Sequence, residues 1–487
     1  YYKVVSEGFS GDRNLSAAAI SASTPAGRSF SRFPMAGVVE GFYNQPFAHP
    51  ERLRLIRFLA QNHLNYYLYA PKNDPYHRQL WRESYPEDAK RNFSELVQTA
   101  KALGVTFNYG ISPGLNIDYN APQEVSGLEA KLREMFELGF RAFTLCLDDI
   151  PRSNSADQKM ALEQVRVVNQ LNRFLKNLDP ECTLFFVPTV YSFPYSHWLE
   201  KNRNFAAYLE ALSGVDREVL IMWTGPSSVF SDTIDLASAA EYQKLWNRPL
   251  LIWDNYPVND VGLQQFVFLG PYQGRDLKLG EAVAGIFANP MFLPNADRLA
   301  LFTMGRYVSL PGYDPWQAYG EAMSVVGRGA ETALRDLSDC LLNHPMFPSR
   351  GLSTLPASRA IKEFWRAYES GNYAKEAQEL RNLFERYARN ADELPGLENQ
   401  RLWLELKPAS EKLSLYAKAC LKALDCLEAK DGAEKRVLAG EAGSLLKAAE
   451  KIRCNVADNR VNALYGLIGA KSGPRPLFKE FVKRALK

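Results

Sequence analysis

Cysteine and histidine are scarce in this chain of 487 residues. The six cysteines (Cys146, Cys182, Cys340, Cys420, Cys426 and Cys454) are scattered, with no CxxC spacing. That argues against a disulfide framework and leaves free, buried thiols as the expectation. The five histidines (His49, His63, His77, His197 and His344) include no pair at i, i+4, so no catalytic metal is expected. A formal net charge of +3 is small for this length and gives no reason to expect nucleic acid as a partner. No apolar run reaches the roughly 18 residues that a membrane span needs. No GxGxxG follows a strand-like run and no phosphate-cradling loop is present, so no cofactor is expected. The chain opens on Tyr1 rather than on Met, which leaves its compartment undecided.

What is present is ordinary for a globular protein: 46% hydrophobic and 23% charged residues. The length predicts more than one unit. Residues 1–32 are rich in Ser, Ala and Gly without a sustained period and read as a tail or leader. From Phe33 a rhythm sets in. Short apolar runs at 35–42, 65–71, 105–113, 142–149, 183–189, 218–224, 249–255 and 282–289 alternate with helical periodicity. Their apolar continuity implies strands covered on both faces, as in a parallel sheet. Eight such units predict an α/β fold, a closed (β/α)8 TIM barrel, over residues 33–313. Beyond Pro311 the strand-like runs vanish. Residues 314–487 read as an all-α helical bundle, with helices at 361–373, 375–390, 397–429, 432–453 and 477–486. Pro408 should end or kink the third of these. A packing or interaction role without chemistry is the expectation for this half.

The chain reads as organised around one stretch, Arg141 to Ile150, in which a buried strand ends on two adjacent acids, Asp148 and Asp149. In a parallel barrel that end is where active sites are built. The plain alternative is a turn and an N-cap for the helix that follows. The other strand ends tell against it, because polar residues and aromatics recur at all of them. Glu40-Gly41-Phe42-Tyr43, Lys72-Asn73-Asp74, Thr189-Val190-Tyr191, Trp253-Asp254-Asn255 and Ala288-Asn289-Pro290 are examples. Asn and Asp beside Trp and Tyr suit a carbohydrate: aromatic faces stack on the ring, and amides and carboxylates take its hydroxyls. Without metal, phosphate or cofactor motifs, carboxylate acid/base work remains, and glycoside hydrolysis is its leading case.

Seven segments carry a resemblance. They are Gly37-Val-Val-Glu-Gly-Phe-Tyr43, Tyr67-Leu-Tyr-Ala-Pro-Lys72, Ile111-Ser-Pro-Gly-Leu115, Leu147-Asp-Asp-Ile150, Trp223-Thr-Gly-Pro226, Trp253-Asp-Asn255 and Phe268-Leu-Gly-Pro-Tyr272. As a set, in order and spacing, they resemble glycoside hydrolase family 84, the O-GlcNAcases and related β-N-acetylglucosaminidases. The helical half is similar in kind to that of bacterial members. The resemblance implies a retaining exo-β-N-acetylglucosaminidase that uses the substrate's acetamido group as nucleophile, through an oxazoline. Asp148 would polarise the acetamido group, and Asp149 would serve as general acid and then base. Because neighbours on a strand project to opposite faces, the two cannot easily flank the anomeric carbon as nucleophile and acid unless the strand end distorts, but they can divide the work if one reaches the acetamido N–H and the other the leaving oxygen. The same resemblance implies Tyr191 near the acetamido carbonyl and Trp253 walling its pocket. It places Asn255 on Asp148 or the acetamido group, and Asp260 on the sugar's 4- and 6-hydroxyls with Asn289 on the same sugar. It has Gly41 leaving room for the sugar and Lys72 reaching a hydroxyl at the rim. Tyr43, Tyr69 and Trp223 read as barrel packing, and His77, Arg78 and Trp81 as braces of the loop after the second strand. Leu147, Val190 and Asn73 depart from the family's pattern without removing a proton-transfer group.

The implied partner is a GlcNAc-bearing glycoprotein, glycopeptide or glycan. Two alternatives stay open: a β-hexosaminidase acting on glycans or hyaluronan-type chains, and a non-catalytic sugar- or peptide-binding barrel. The helical half could shape a peptide groove or carry a homodimer contact; both stay open.

Overall fold

A computed structural model describes residues 30–151, 153–458 and 476–487. Eight parallel strands follow one another around a closed barrel. They are β1 Met35–Glu40, β2 Tyr66–Tyr69, β3 Thr106–Ile111, β4 Ala142–Cys146, β5 Thr183–Val187, β6 Leu220–Trp223, β7 Leu250–Asp254 and β8 Val283–Ala288. β8 closes on β1, with Met35 opposite Gly285 and Val38 opposite Ala288. The two-residue period of each strand sends alternate side chains to opposite sides. Inward-facing Val39, Leu68, Met222 and Leu251 fill the lumen with an aromatic layer in which Tyr66 lies 5.7 Å from Phe185 and 5.1 Å from Phe287. The outward set packs against the surrounding helices in a second, continuous core.

Parity also sorts the acids at the strand ends. Glu40 is fully buried outside the lumen, where it accepts 2.8 Å hydrogen bonds from Arg52 Nε and Nη2 and one of 2.6 Å from the Tyr67 hydroxyl. Asp254 is likewise gripped by Arg275, at 2.6 and 2.7 Å. Both acids are structural anchors. All six cysteines are free and buried.

The helical half contains two helices that the sequence pattern did not suggest, Pro315–Val326 and Glu331–Asp339. Then come Pro356–Glu369, Ala374–Glu393, Gln400–Glu428, Gly432–Lys451 and Leu477–Ala485. Pro408 does not end its helix, which spans 29 residues in all. The carbonyl that loses its donor is that of Leu404, on the solvent side (67% exposed), where water can take its place. Residues 1–29 of the expected tail lie outside the described residues. Arg32 is tied to the barrel, its N–H donating to Val308 O at 2.9 Å and its Nε to Tyr307 O at 3.0 Å. Among the described residues no helix is long and apolar enough to cross a membrane.

Candidate active site

The site begins where β4 stops. Leu147 still donates to Val187 O at 2.8 Å, extending the ladder by one bond. Its own carbonyl takes the Thr189 hydroxyl at 2.9 Å. Asp149 then adopts φ 51°, in the left-handed region that Asp tolerates better than most residues. Arg78 Nη2 pins the Asp149 carbonyl at 3.0 Å. This bend replaces strand alternation, so Asp148 and Asp149 line the same pocket. The N-cap of the following helix is Asp157, whose side chain accepts the Met160 N–H at 2.9 Å. The acid pair is therefore free of the capping role.

The pocket is a cavity of about 540 Å³ at the C-terminal mouth of the barrel. All nine candidate residues line it: Gly41, Lys72, Asp148, Asp149, Tyr191, Trp253, Asn255, Asp260 and Asn289. Val187, Val229, Phe230 and Val258 complete a largely apolar wall. Apolar walls with a few convergent polar groups are the usual make-up of a small-ligand site.

The two acids differ sharply. Asp148 is buried; its Oδ2 pairs with Lys72 Nζ at 2.5 Å, and its Oδ1 has no hydrogen-bond partner among the described residues. A shielded carboxylate oxygen left this way is costly unless something else occupies it. Asp149 is exposed to the cavity and accepts two phenol hydrogen bonds of 2.9 Å, from Tyr43 to Oδ2 and from Tyr191 to Oδ1.

Lys72 is not at the rim as expected. Its side chain is 2% exposed, ion-paired with Asp148 and set 5.7 Å from the Trp253 ring centroid. Burial pulls its pKa down, but Asp148 and then Asp149 more than offset that, and the net shift is upward. Asn255 is not on Asp148. Its Oδ1 accepts from Trp253 Nε1 at 3.0 Å and from Asn289 Nδ2 at 2.9 Å, and its Nδ2 donates to Val229 O. Asn289 Oδ1 accepts the Gly41 N–H at 3.3 Å. Gly41 makes room for the Trp253 indole: an added Cβ would lie 2.1 Å from its Cζ2. Asp260 Oδ2 accepts the Tyr43 N–H at 2.8 Å, and burial pushes the Asp260 pKa up to about 6.

Tyr43 is a second residue that sequence reasoning misplaced. It lines the pocket and holds Asp149 instead of packing in the barrel. Its position three residues past Glu40, just beyond the C-terminal end of β1 where the pocket opens, was the available signal. Tyr69 and Trp223 are buried; Tyr69 donates to Asp74 and Trp223 to the Phe193 carbonyl. His77 bonds Gly110 O and Trp81 bonds Asn116, bracing neighbouring segments.

Fold and pocket together define a class: (β/α)8 barrels that handle sugars with a pair of carboxylates. A family model described as beta-N-acetylglucosaminidase (NAGidase) matches residues 36–339. This chain belongs to that family, glycoside hydrolase family 84. It is 36% identical over 304 residues to the Protein O-GlcNAcase of Rattus norvegicus, a match covering 61% of this chain and 32% of the relative. The Mus musculus Protein O-GlcNAcase matches at 36% over 307 residues with the same coverage. The matched stretch therefore spans about a third of these relatives. A solved structure of a mutant of Thermobaculum terrenum O-GlcNAc hydrolase superposes with a TM-score of 0.80 at 28% identity, covering 93% of this chain and 95% of that one.

Proposed function

We propose that this chain is a retaining exo-β-N-acetylglucosaminidase that removes β-linked N-acetylglucosamine from Ser and Thr of glycoproteins, by substrate-assisted catalysis through an oxazoline. One observation carries the reading: Asp148 and Asp149 are neighbours in a single pocket yet are equipped for different work. Asp148, paired with Lys72 on one oxygen, has its shielded Oδ1 available for the substrate's acetamido N–H. Polarised in this way, the acetamido oxygen closes on the anomeric carbon. Asp149, on the open side and oriented by two phenols, passes a proton to the glycosidic oxygen as its bond to that carbon breaks. Asp149 then takes a proton from the water that opens the oxazoline. Two inversions leave the configuration retained.

The other candidates fall in around this core. Trp253 walls the acetamido pocket, and Tyr191 turns to the acetamido carbonyl. Asp260 and Asn289 take sugar hydroxyls, and Asn255 holds Trp253 and Asn289 in place. The glycoprotein substrate is supported by the names of the relatives, O-GlcNAcases from two mammals. The test is hydrolysis of aryl β-N-acetylglucosaminides whose acetamide carries zero to three fluorines, by the wild type and by Asp148→Asn. The wild-type rate should fall steeply with fluorination, and the slope should flatten in the variant. A fluorine-insensitive wild-type rate would sink the mechanism.

A further inference from the structure

Tyr43 stands where the two ends of the pocket meet. Its hydroxyl donates to Asp149 Oδ2 at 2.9 Å, and its backbone N–H donates to Asp260 Oδ2 at 2.8 Å. The Arg78 guanidinium lies over its ring, 5.2 Å from the centroid, and the same guanidinium pins the Asp149 carbonyl. The ring is thus clamped from one face while its hydroxyl and its N–H reach two different acids. Tyr191, the other donor to Asp149, has no comparable clamp on its ring among the described residues.

We infer that Tyr43 is a positioning residue: it fixes one oxygen of Asp149 through the whole reaction and couples that acid to Asp260. The inference rests on the reaction proposed above. A carboxyl that gives a proton and later takes one works best if the same oxygen faces the reacting atoms both times. With the Tyr43 O–H fixed on Oδ2, that oxygen is the less basic, so the proton travels through Oδ1. When substrate enters, Tyr191 leaves Oδ1 and the glycosidic oxygen replaces it. The Oδ1 proton then passes to the glycosidic oxygen as the C1–O bond breaks and the acetamido oxygen bonds C1. The charge left on Asp149 is held by the Tyr43 O–H. In the second step Oδ1 takes a proton from water, whose oxygen bonds C1 as the oxazoline C1–O bond opens.

Burial, then the charge of Asp149, push the Tyr43 phenol well upward, so it stays a donor throughout. The charged groups around Asp149 are Asp148 beside it, Lys72 and Arg78 from the loop after β2, and Asp260 from the loop after β7.

The test is Tyr43→Phe, which keeps the ring and the N–H, assayed on β-N-acetylglucosaminides with leaving groups from dinitrophenol to simple alcohols, across pH. The loss in kcat/KM should be about tenfold greater on alkyl than on dinitrophenyl glycosides, because only the former need the acid. The alkaline limb of the alkyl profile should move upward, since the ionised form of Asp149 has lost a donor. Equal losses across leaving groups with an unmoved limb would reduce Tyr43 to a structural residue. Asp149→Asn is run in parallel. A flat leaving-group dependence in that variant defeats the proposed reaction itself, whereas a steep one beside a flat Tyr43→Phe series defeats only the role of Tyr43.

Discussion

At the residue scale, the pocket is shaped by contacts with little slack. The Gly41 hydrogen is what lets the Trp253 indole come close to the strand-one loop, because a methyl there would meet Cζ2 at 2.1 Å and Cη2 at 2.5 Å. Gly41→Ala must displace the indole, whose Nε1 is held by Asn255 and whose ring faces Lys72. Overpacking of this kind costs about 1–3 kcal/mol. The expected outcome is a lower melting temperature and a kcat/KM reduced at least tenfold, read by steady-state kinetics. Asp260 offers a second check. Burial raises it to about 6 from an ordinary 3.8, against the Tyr43 N–H, which lowers it. A carboxyl raised in the fold stabilises it only while protonated, so its contribution is complete below 3.8 and is lost as pH rises to about 6. Binding runs the other way. If Asp260 accepts sugar hydroxyls as a carboxylate, KM should rise as pH falls through about 6, and Asp260→Asn should flatten that rise. A wild-type KM that stays level across this range would remove Asp260 from sugar binding.

At the element scale, what could be read from the chain and what could not separate along a physical line. The strands were legible because each is an apolar run covered on both faces, a property of consecutive residues. The barrel followed from their number. The bend at Asp149 was not legible, because it is held by Arg78 and by Thr189 through Leu147, which arrive from other elements. Lys72 looked like a rim residue for the same reason: its partner, Asp148, is 76 positions away. Tyr43 reaches across 106 positions to Asp149. The candidate residues lie together because strand ends converge in a barrel; their pairings could not be deduced, since local sequence does not encode them. The helices Pro315–Val326 and Glu331–Asp339 are short and lie among Pro315, Gly320, Gly327 and Gly329, residues that weaken a helical pattern. Pro315 in fact sits in the first turn, where a missing N–H costs nothing. Pro408 does not end its helix, since one unpaired carbonyl facing water is a small loss in a helix packed along its length.

At the scale of the whole molecule, the helical half holds the loops that carry half the pocket. Glu405, in the helix Gln400–Glu428, accepts from the backbone N–H groups of Asn295 and Ala296 just past β8, at 3.0 and 2.7 Å. Ser349 meets Asp232 after β6 with hydrogen bonds of 2.9 and 2.7 Å. Asn455 takes both backbone groups of Val267 after β7, its Oδ1 accepting the N–H at 2.8 Å and its Nδ2 donating to the carbonyl at 3.2 Å. These loops follow the strands that deliver Trp253, Asn255, Asp260 and Asn289, and none of the three contacts touches the acid pair. A brace of this kind should be felt in binding before chemistry. Asn455→Ala strands two buried backbone groups, at a cost of roughly 1–3 kcal/mol each. Loosening Val267 frees the segment that runs back through Phe266, whose carbonyl is held by Asn259, to Asp260. The variant should therefore melt earlier and show KM for an aryl β-N-acetylglucosaminide raised several-fold, with kcat changed far less. A fall in kcat at constant KM would mean that the helical half acts on Asp148 and Asp149 by another route. An earlier melt with both constants unchanged would confine it to stability.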